Sequence, residues 1–400
     1  MHVRSMKLHE PPYQRSAGGI RSAKRRIALA AALLLTGICW KIPGSAIATG
    51  LQAQCGHVGT LVGFTVIDQA TIVGSTDQGN MARSIDGGRC WFAAALDKPL
   101  THRMGDFVRD PLHPHVLLAG SGSIGRIGIG STFGLLRSGN DGRTWRQLGS
   151  GNGLPGTSFD VTALVGTTSG LYAAVACIDE LSVINSKHHA PFVCGVPIYR
   201  STNGGMAWAP VGPGAHLAPT DASTPPFEGS VQALAALPNG SIVAAVSPLR
   251  GKPGLYRSNS AGTSWSLIGP ERRLNDASVL TVASKTGPTI VAGVGSISTT
   301  AQLLRSTDGG RTWRRVLAPA QMKDPIVIGC AHTVHALLCA GLQHLFRSTD
   351  NGTSWQEPAS LGLTSSNITF ITTSPDGSVY LSRVGGLFRT TDDGEHWQRL

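Results

Sequence analysis

The sequence predicts an all-β fold: a seven-bladed β-propeller of four-stranded antiparallel blades, preceded by an N-terminal signal or anchor segment. Three observations predict it. A nine-residue phrase recurs seven times and always ends in tryptophan, at Trp91, Trp145, Trp208, Trp265, Trp313, Trp355 and Trp397. Successive tryptophans lie 54, 63, 57, 48, 42 and 42 residues apart, a period that belongs to stacked or radially arranged units. Charged residues make up only 14% of the 400 and aromatics 6%, whereas glycines number 51, a balance that suits short strands and tight turns rather than helices or disorder.

The phrase itself reads as strand, turn, strand. Its clearest copy is Arg305-Ser306-Thr307-Asp308-Gly309-Gly310-Arg311-Thr312-Trp313. An apolar stretch such as Leu303-Leu304 precedes it and supplies a strand. The fourth position is Asp86, Asn140, Asn203, Ser260, Asp308, Asp350 or Asp392, a side chain that closes a turn by bonding backbone ahead of it. Glycine two places on supplies a positive φ. Hydroxyls such as those of Ser306 and Thr312 are expected to satisfy the carboxylate. Tryptophan then opens the outgoing strand as an apolar wedge whose N–H wants a partner. Ser260 replaces the acid in the fourth copy, and Cys90, Ala207 and His396 replace threonine in the first, third and seventh.

This S-x-D-x-G-x-T-W pattern resembles the Asp-box, or bacterial neuraminidase repeat, from about Cys55 to the end. The resemblance implies a sialidase-like propeller with each box between the third and fourth strands of a blade, away from any active site. It makes Asp86, Asp308, Asp350 and Asp392 turn residues rather than catalytic or metal-binding acids. In size the chain is also similar to the exported seven-bladed family of the photosystem II assembly and stability factor, whose members are non-catalytic and bind partner polypeptides.

At the N-terminus, Lys24-Arg25-Arg26 precede an apolar run from Ile27 to Trp40, followed by Pro43-Gly44 and Ala46-Ile47-Ala48. A basic region, a short apolar core and a small-x-small site read as a secretory signal cleaved after Ala48, with an uncleaved membrane anchor as the alternative. Residues 1–48 are therefore a leader and 49–400 the propeller. Either way the propeller is expected outside the cytoplasm. The net charge of +11 is concentrated here, because residues 1–41 hold eight basic residues and one acid. The remainder shows no basic stripe interleaved with aromatics, which argues against nucleic acid as a partner. Of seven cysteines, six lie beyond the leader. Pairing is expected for Cys177 with Cys194, Cys330 with Cys339 and Cys55 with Cys90, with buried free thiols as the alternative.

Each blade should carry four strands. In the last, Asn367 to Ser374, Ser378 to Ser382, Leu387 to Arg389 and a strand opened by His396-Trp397 are expected. The first is expected to run from about Gly56 to Leu96. Extra length falls in three places: Ser121 to Thr132, Ile178 to Val193, and the link from Pro210 to Gly229. The first two join second to third strands and the last joins blades, so all three should crowd the face opposite the boxes. Long loops on a rigid scaffold are where binding concentrates.

No catalytic set emerges. Gly120-Ser121-Gly122-Ser123-Ile124-Gly125 matches a nucleotide-binding string but sits between antiparallel strands, not in a βαβ unit. His113-Pro114-His115, His188-His189 and His332-Thr333-Val334-His335 lack partners at metal-ligand spacing. A sialidase needs an arginine triad, a tyrosine nucleophile with a glutamate, and an acid. Its R-I-P segment is missing, Gly125-Arg126-Ile127-Gly128 being the nearest string, and the tyrosines beyond the leader are Tyr172, Tyr199, Tyr256 and Tyr380. The expectation is a monomeric, non-catalytic exported propeller that binds a protein or glycan through the loop face of blades two to four. It needs no cofactor or metal, and meets membrane only through an uncleaved leader. Arg126, Lys187, His188 and His189 are the candidate ligand contacts. The alternative is a sialidase-like or other glycoside hydrolase, and a purely structural envelope protein is a third reading.

Overall fold

Alternation along the second strand of each blade sets the architecture. In Leu337–Gly341 every residue is buried. Leu337 and Cys339 face one apolar cluster, and Leu338 and Ala340 face the next. Successive strand residues point to opposite faces, so a strand buried on both sides must be sandwiched between two other sheets. Repeating this around the chain closes a ring.

The computed structural model describes residues 56, 58–100, 103–121, 134–155, 159–177, 198–211, 228–250, 254–269, 277–282, 287–296, 299–317, 322–358 and 367–400. They form a seven-bladed β-propeller of antiparallel sheets, strands running in sequence order from inner to outer edge. Blade one is Leu61–Val66, Ile72–Thr76, Met81–Ser84 and Trp91–Ala93. Blade two is Asp106–Arg109, Leu117–Gly120, Leu135–Ser138 and Thr144–Leu148. Blade three is Phe159–Thr167, Gly170–Cys177, Ile198–Ser201 and Ala209–Pro210. Blade four is Glu228–Ala236, Ile242–Arg250, Gly254–Ser258 and Ser266–Gly269, and blade five Ala277–Val282, Ile290–Ser296, Thr299–Ser306 and Arg314–Leu317. Blade six has Val327–His332, Leu337–Gly341 and Leu345–Ser348. Its fourth strand is reduced to one bridge between Arg347 and Gln356. Blade seven is Ile368–Thr373, Val379–Arg383, Gly386–Thr390 and Gln398–Arg399.

One boundary differs from the sequence reading. Ala95–Leu96 leaves blade one and adds a parallel edge strand to the outer strand of blade two. A parallel partner two residues long carries no turn signal of its own, so periodicity does not reveal it. The inner strands of blades one and three to seven each contain a register shift, as between Leu61 and Gly63 or Val327 and Gly329. Such bulges sharpen twist where the strands converge on the axis.

Seven apolar clusters fill the seven gaps between blades. Among the described residues the ring closes by packing, and no strand is exchanged between blades one and seven. Leu61, Phe64 and Ile72 of blade one pack with Tyr380 and Leu387 of blade seven. The Leu61 carbonyl accepts the hydroxyls of Thr369 and Ser382, at 2.6 and 2.9 Å. Gly56 bridges to Trp91, within blade one.

Candidate functional site

The repeated turn joins the third and fourth strands of each blade and is held the same way throughout. In the copy around Asp308, the Ser306 hydroxyl donates to the carboxylate at 2.7 Å and accepts the Gly310 N–H at 2.8 Å. Asp308 also accepts the N–H groups of Arg311 and Thr312 and the Thr312 hydroxyl. The Trp313 indole N–H donates to the Gly310 carbonyl at 2.9 Å. The hydroxyl-to-glycine bond recurs in all seven copies. So does the bond from the eighth-position N–H to the fourth-position side chain. Burial alone would raise the carboxyls of Asp308, Asp350 and Asp392, but the converging donors outweigh it and bring each to about 2. In the seventh copy His396 takes the place of threonine, its ring 2.7 Å from Asp392, and the Trp397 indole N–H is buried without a partner.

The turns also bind blades together, through residues that sequence reading missed. The sixth-position glycines sit at positive φ against the preceding blade: a Cβ on Gly142 would lie 2.6 Å from Val73, and one on Gly394 2.7 Å from Leu338. The tryptophans enter the same gaps, Trp145 with Val73 and Met81 of blade one, Trp208 with Leu118 and Leu135 of blade two. The arginine that opens the phrase reaches forward. Arg83 donates to the Asp141 carbonyl at 2.9 Å, Arg305 to Asn351 at 2.6 Å and Arg347 to Asp393 at 2.7 Å, and Arg137 bonds Gly204 likewise. Each acceptor is the fifth residue of the next blade's turn. Arg200, Arg257 and Arg389 instead bond within their own blades, to the Ser169 carbonyl, the Ser241 hydroxyl and Asp376 with Ser378. An arginine in all seven copies was the available signal, but its acceptor belongs to the next repeat, where a single-repeat reading does not look.

The opposite end of the ring carries the long connections. Antiparallel order puts second-to-third-strand connections and blade-to-blade links at one end, and the repeated turns at the other. Segments 121–134 and 178–197 leave and re-enter blades two and three at the former end, as does 211–227 between blades three and four. The candidate contacts Arg126, Lys187, His188 and His189 lie outside the described residues, as do Cys55 and Cys194. Cys177 ends the second strand of blade three. Cys330 and Cys339 are directly opposed on adjacent strands and joined by a disulfide, and Cys90 is disulfide-bonded as well. Gly120 ends a strand whose next partner is antiparallel, as the reading of the glycine string required.

Other polar clusters serve turns. His113 lies 2.7 Å from buried Asp110, His115 3.0 Å from Asp141, and His344 3.1 Å from Asp324. All four tyrosines beyond the leader are buried, and burial pushes the phenols of Tyr199, Tyr256 and Tyr380 up. Among the described residues no group of three or more His, Cys, Asp or Glu is placed to hold a metal ion, and no helix is long and apolar enough to cross a membrane. Exposed Ile85, Leu112, Met206 and Val334 lie singly at the end bearing the repeated turns. One acid stands apart. Asp106, half-buried on the inner strand of blade two, accepts the Leu164 N–H of blade three at 2.7 Å, and burial raises it to about 7 against that bond and one from Phe107.

No family model matches the chain, and no curated protein matches it. Solved structures do. It is similar to YCF48 bound to D1 peptide, at 16% identity over 86% of this chain and 99% of that one, with a TM-score of 0.52. It is similar to YCF48 from Cyanidioschyzon merolae, at 16% identity over 85% and 97%, TM-score 0.55. It also matches an ancestral GH74 enzyme at 15% identity, covering 88% of this chain but 48% of that one, TM-score 0.55. At these identities the likeness is one of fold.

Proposed function

We propose that the chain is a non-catalytic propeller that holds a polypeptide or glycan partner through the end of blades two to four opposite the repeated turns. The observation that carries this is topological: three long connections leave the scaffold at that end and on adjacent blades. A rigid ring with extended connections on one side is suited to recognition. That a solved propeller of this fold is one bound to a peptide supports the reading. Arg126, Lys187, His188 and His189 supply cationic and polar contacts on those connections.

The test is deletion of residues 179–192. The deletion variant should keep the circular dichroism and melting of the parent and lose partners recovered by crosslinking from the native exported fraction. Undiminished recovery would remove the reading. The glycoside hydrolase alternative draws support from the likeness to a GH74 propeller, which this chain matches over about half of that enzyme. Turnover on a panel of fluorogenic glycosides, abolished by substituting a central acid, would favour it.

A further inference from the structure

The end of blade seven holds two arginines with no ion-pair partner among the described residues. Arg383 closes the second strand and pairs with Gly386 across the turn Val384-Gly385. Its guanidinium carbon lies 4.7 Å from the Phe388 ring centroid. Its Nε and Nη1 are buried and bond nothing. Arg399, exposed on the outer strand, folds back to the same turn and donates to the Gly385 carbonyl at 2.8 Å. Gly386 permits this, because a Cβ there would lie 3.2 Å from the Arg399 Nε. Burial and the Arg399 charge both lower the Arg383 pKa.

No described acid forms an ion pair with either arginine. The ion-paired acids of blade seven, Asp376, Asp392 and Glu395, engage Arg389, His396 and Arg347 at the other end of the ring. Asp77, at the near end of blade one, has its own Oδ1 buried without a partner. Buried unpaired donors are costly, and two adjacent guanidinium groups repel. An anion held by the exposed Arg399 beside Arg383 offsets that repulsion, and the planar fork of arginine matches a carboxylate. At the turn itself, a Cβ on Gly385 would meet nothing within 4 Å.

We propose that Arg383 and Arg399 form a binding site for the carboxylate of an acidic polypeptide. A peptide is favoured over an acidic sugar by the surroundings. Gln398–Arg399 is a short edge strand, exposed and paired only with Gly386–Thr390 among the described residues. An extended chain can add to such an edge by main-chain bonds while its carboxylate meets the arginines. The site needs blade seven alone and does not depend on the connections of blades two to four.

The test is fluorescence anisotropy of the full-length protein with a labelled triglutamate peptide, against triglutamine. Triglutamate should bind in a salt-dependent manner and triglutamine should not. Arg383→Gln and Arg399→Gln should each weaken binding at least about tenfold, and Arg383→Lys should not restore it. Arg399 is exposed, so Arg399→Gln should melt like the parent and carries the test if Arg383→Gln folds poorly. Deleting residues 179–192 should leave triglutamate binding intact, so that this site and the proposed binding face fail separately. Equal binding by parent and Arg399→Gln, or equal binding of triglutamine, would overturn the site. Tighter binding of trigalacturonate than of triglutamate would overturn its assignment to a peptide.

Discussion

Glycine at the sixth position of the repeated turn answers two demands at once. Its φ is positive in every copy, and its missing side chain lets the turn lie against the preceding blade. The two demands separate by substitution. Gly240 has a φ of +79° but open space where a Cβ would go, so Gly240→Ala should cost about 1 kcal/mol, the left-handed strain alone. Gly142 has a φ of +77° and Val73 2.6 Å from the added Cβ, so Gly142→Ala should cost about 2–4 kcal/mol, strain plus overpacking. Urea denaturation of both variants checks this; equal losses would show that the contact between blades carries nothing. Ser260 poses the converse case. Its hydroxyl lies 3.4 Å from that of Ser258, where Asp308 reaches Ser306 at 2.7 Å. It accepts one backbone N–H, where Asp86, Asp308 and Asp350 each accept two. Ser260→Asp restores a charged acceptor and should stabilise blade four by about 1 kcal/mol, read as a higher urea midpoint at unchanged slope.

At the scale of the element, inner strands meet their neighbours through polar side chains as well as apolar ones. Thr162 donates to the Val231 carbonyl of the next blade at 2.6 Å, and Thr369 does the same to Leu61. Blade two uses Asp106 toward Leu164 instead. An acid there makes stability depend on pH. The folded-state pKa of Asp106 is raised to about 7 from 3.8, so its protonated form favours folding. That contribution is complete below about pH 4 and is lost as pH rises toward 7, on the order of 3 kcal/mol. The turn carboxyls run the other way: held at about 2, they stabilise above about pH 4, and that stability is lost as pH falls through 2. Maximum stability is therefore expected close to about pH 4, where the turn carboxyls are ionised and the Asp106 contribution is not yet lost. Melting temperature measured from about pH 4.5 to 7.5 should fall in the parent and stay level in Asp106→Asn; parallel curves would refute the assignment. Asp106 illustrates why part of this protein was hidden in its sequence. The turns were legible because every group that closes them lies within nine residues, from Arg305 to Trp313 in the fifth copy. The second strands were legible because burial on both faces leaves a run of apolar residues, as in Leu337–Gly341. Asp106 bonds a residue 58 positions away, Arg305 one 46 away, and neither partner differs locally from its surroundings. The proposed contacts carry the weakest signal, since no repeated pattern constrains a loop that varies from blade to blade.

At the scale of the ring, each blade is built wholly from consecutive strands, and neighbours are joined by packing, by arginine latches and by single hydroxyl bonds. No blade borrows a strand from across the ring among the described residues; the joint between blades one and seven is closed by packing and hydroxyl bonds, without the arginine latch and edge strand seen between blades one and two. It is also the joint through which the chain does not run. Leu400 packs in the cluster that holds Trp91, whose carbonyl accepts the Gly56 N–H, so the two ends of the ring lie near one another. Moving the break should then matter little. A circular permutant of residues 52–400, with a short Gly/Ser linker from Leu400 to Gln52 and new ends within 270–276, opens the chain between blades four and five. It should fold with the same circular dichroism and melt within a few degrees of the parent. Among the described residues Arg257 bonds Ser241 of its own blade, so no arginine bond between blades four and five is put at risk by that choice. The same operation within 99–102 places the break at the joint latched by Arg83 to Asp141 and bridged by Ala95–Leu96. If those bonds hold blades one and two together without a covalent link, this second permutant should melt close to the first. A much lower melting temperature would mean that the chain connection, not the contacts across the gap, closes that joint.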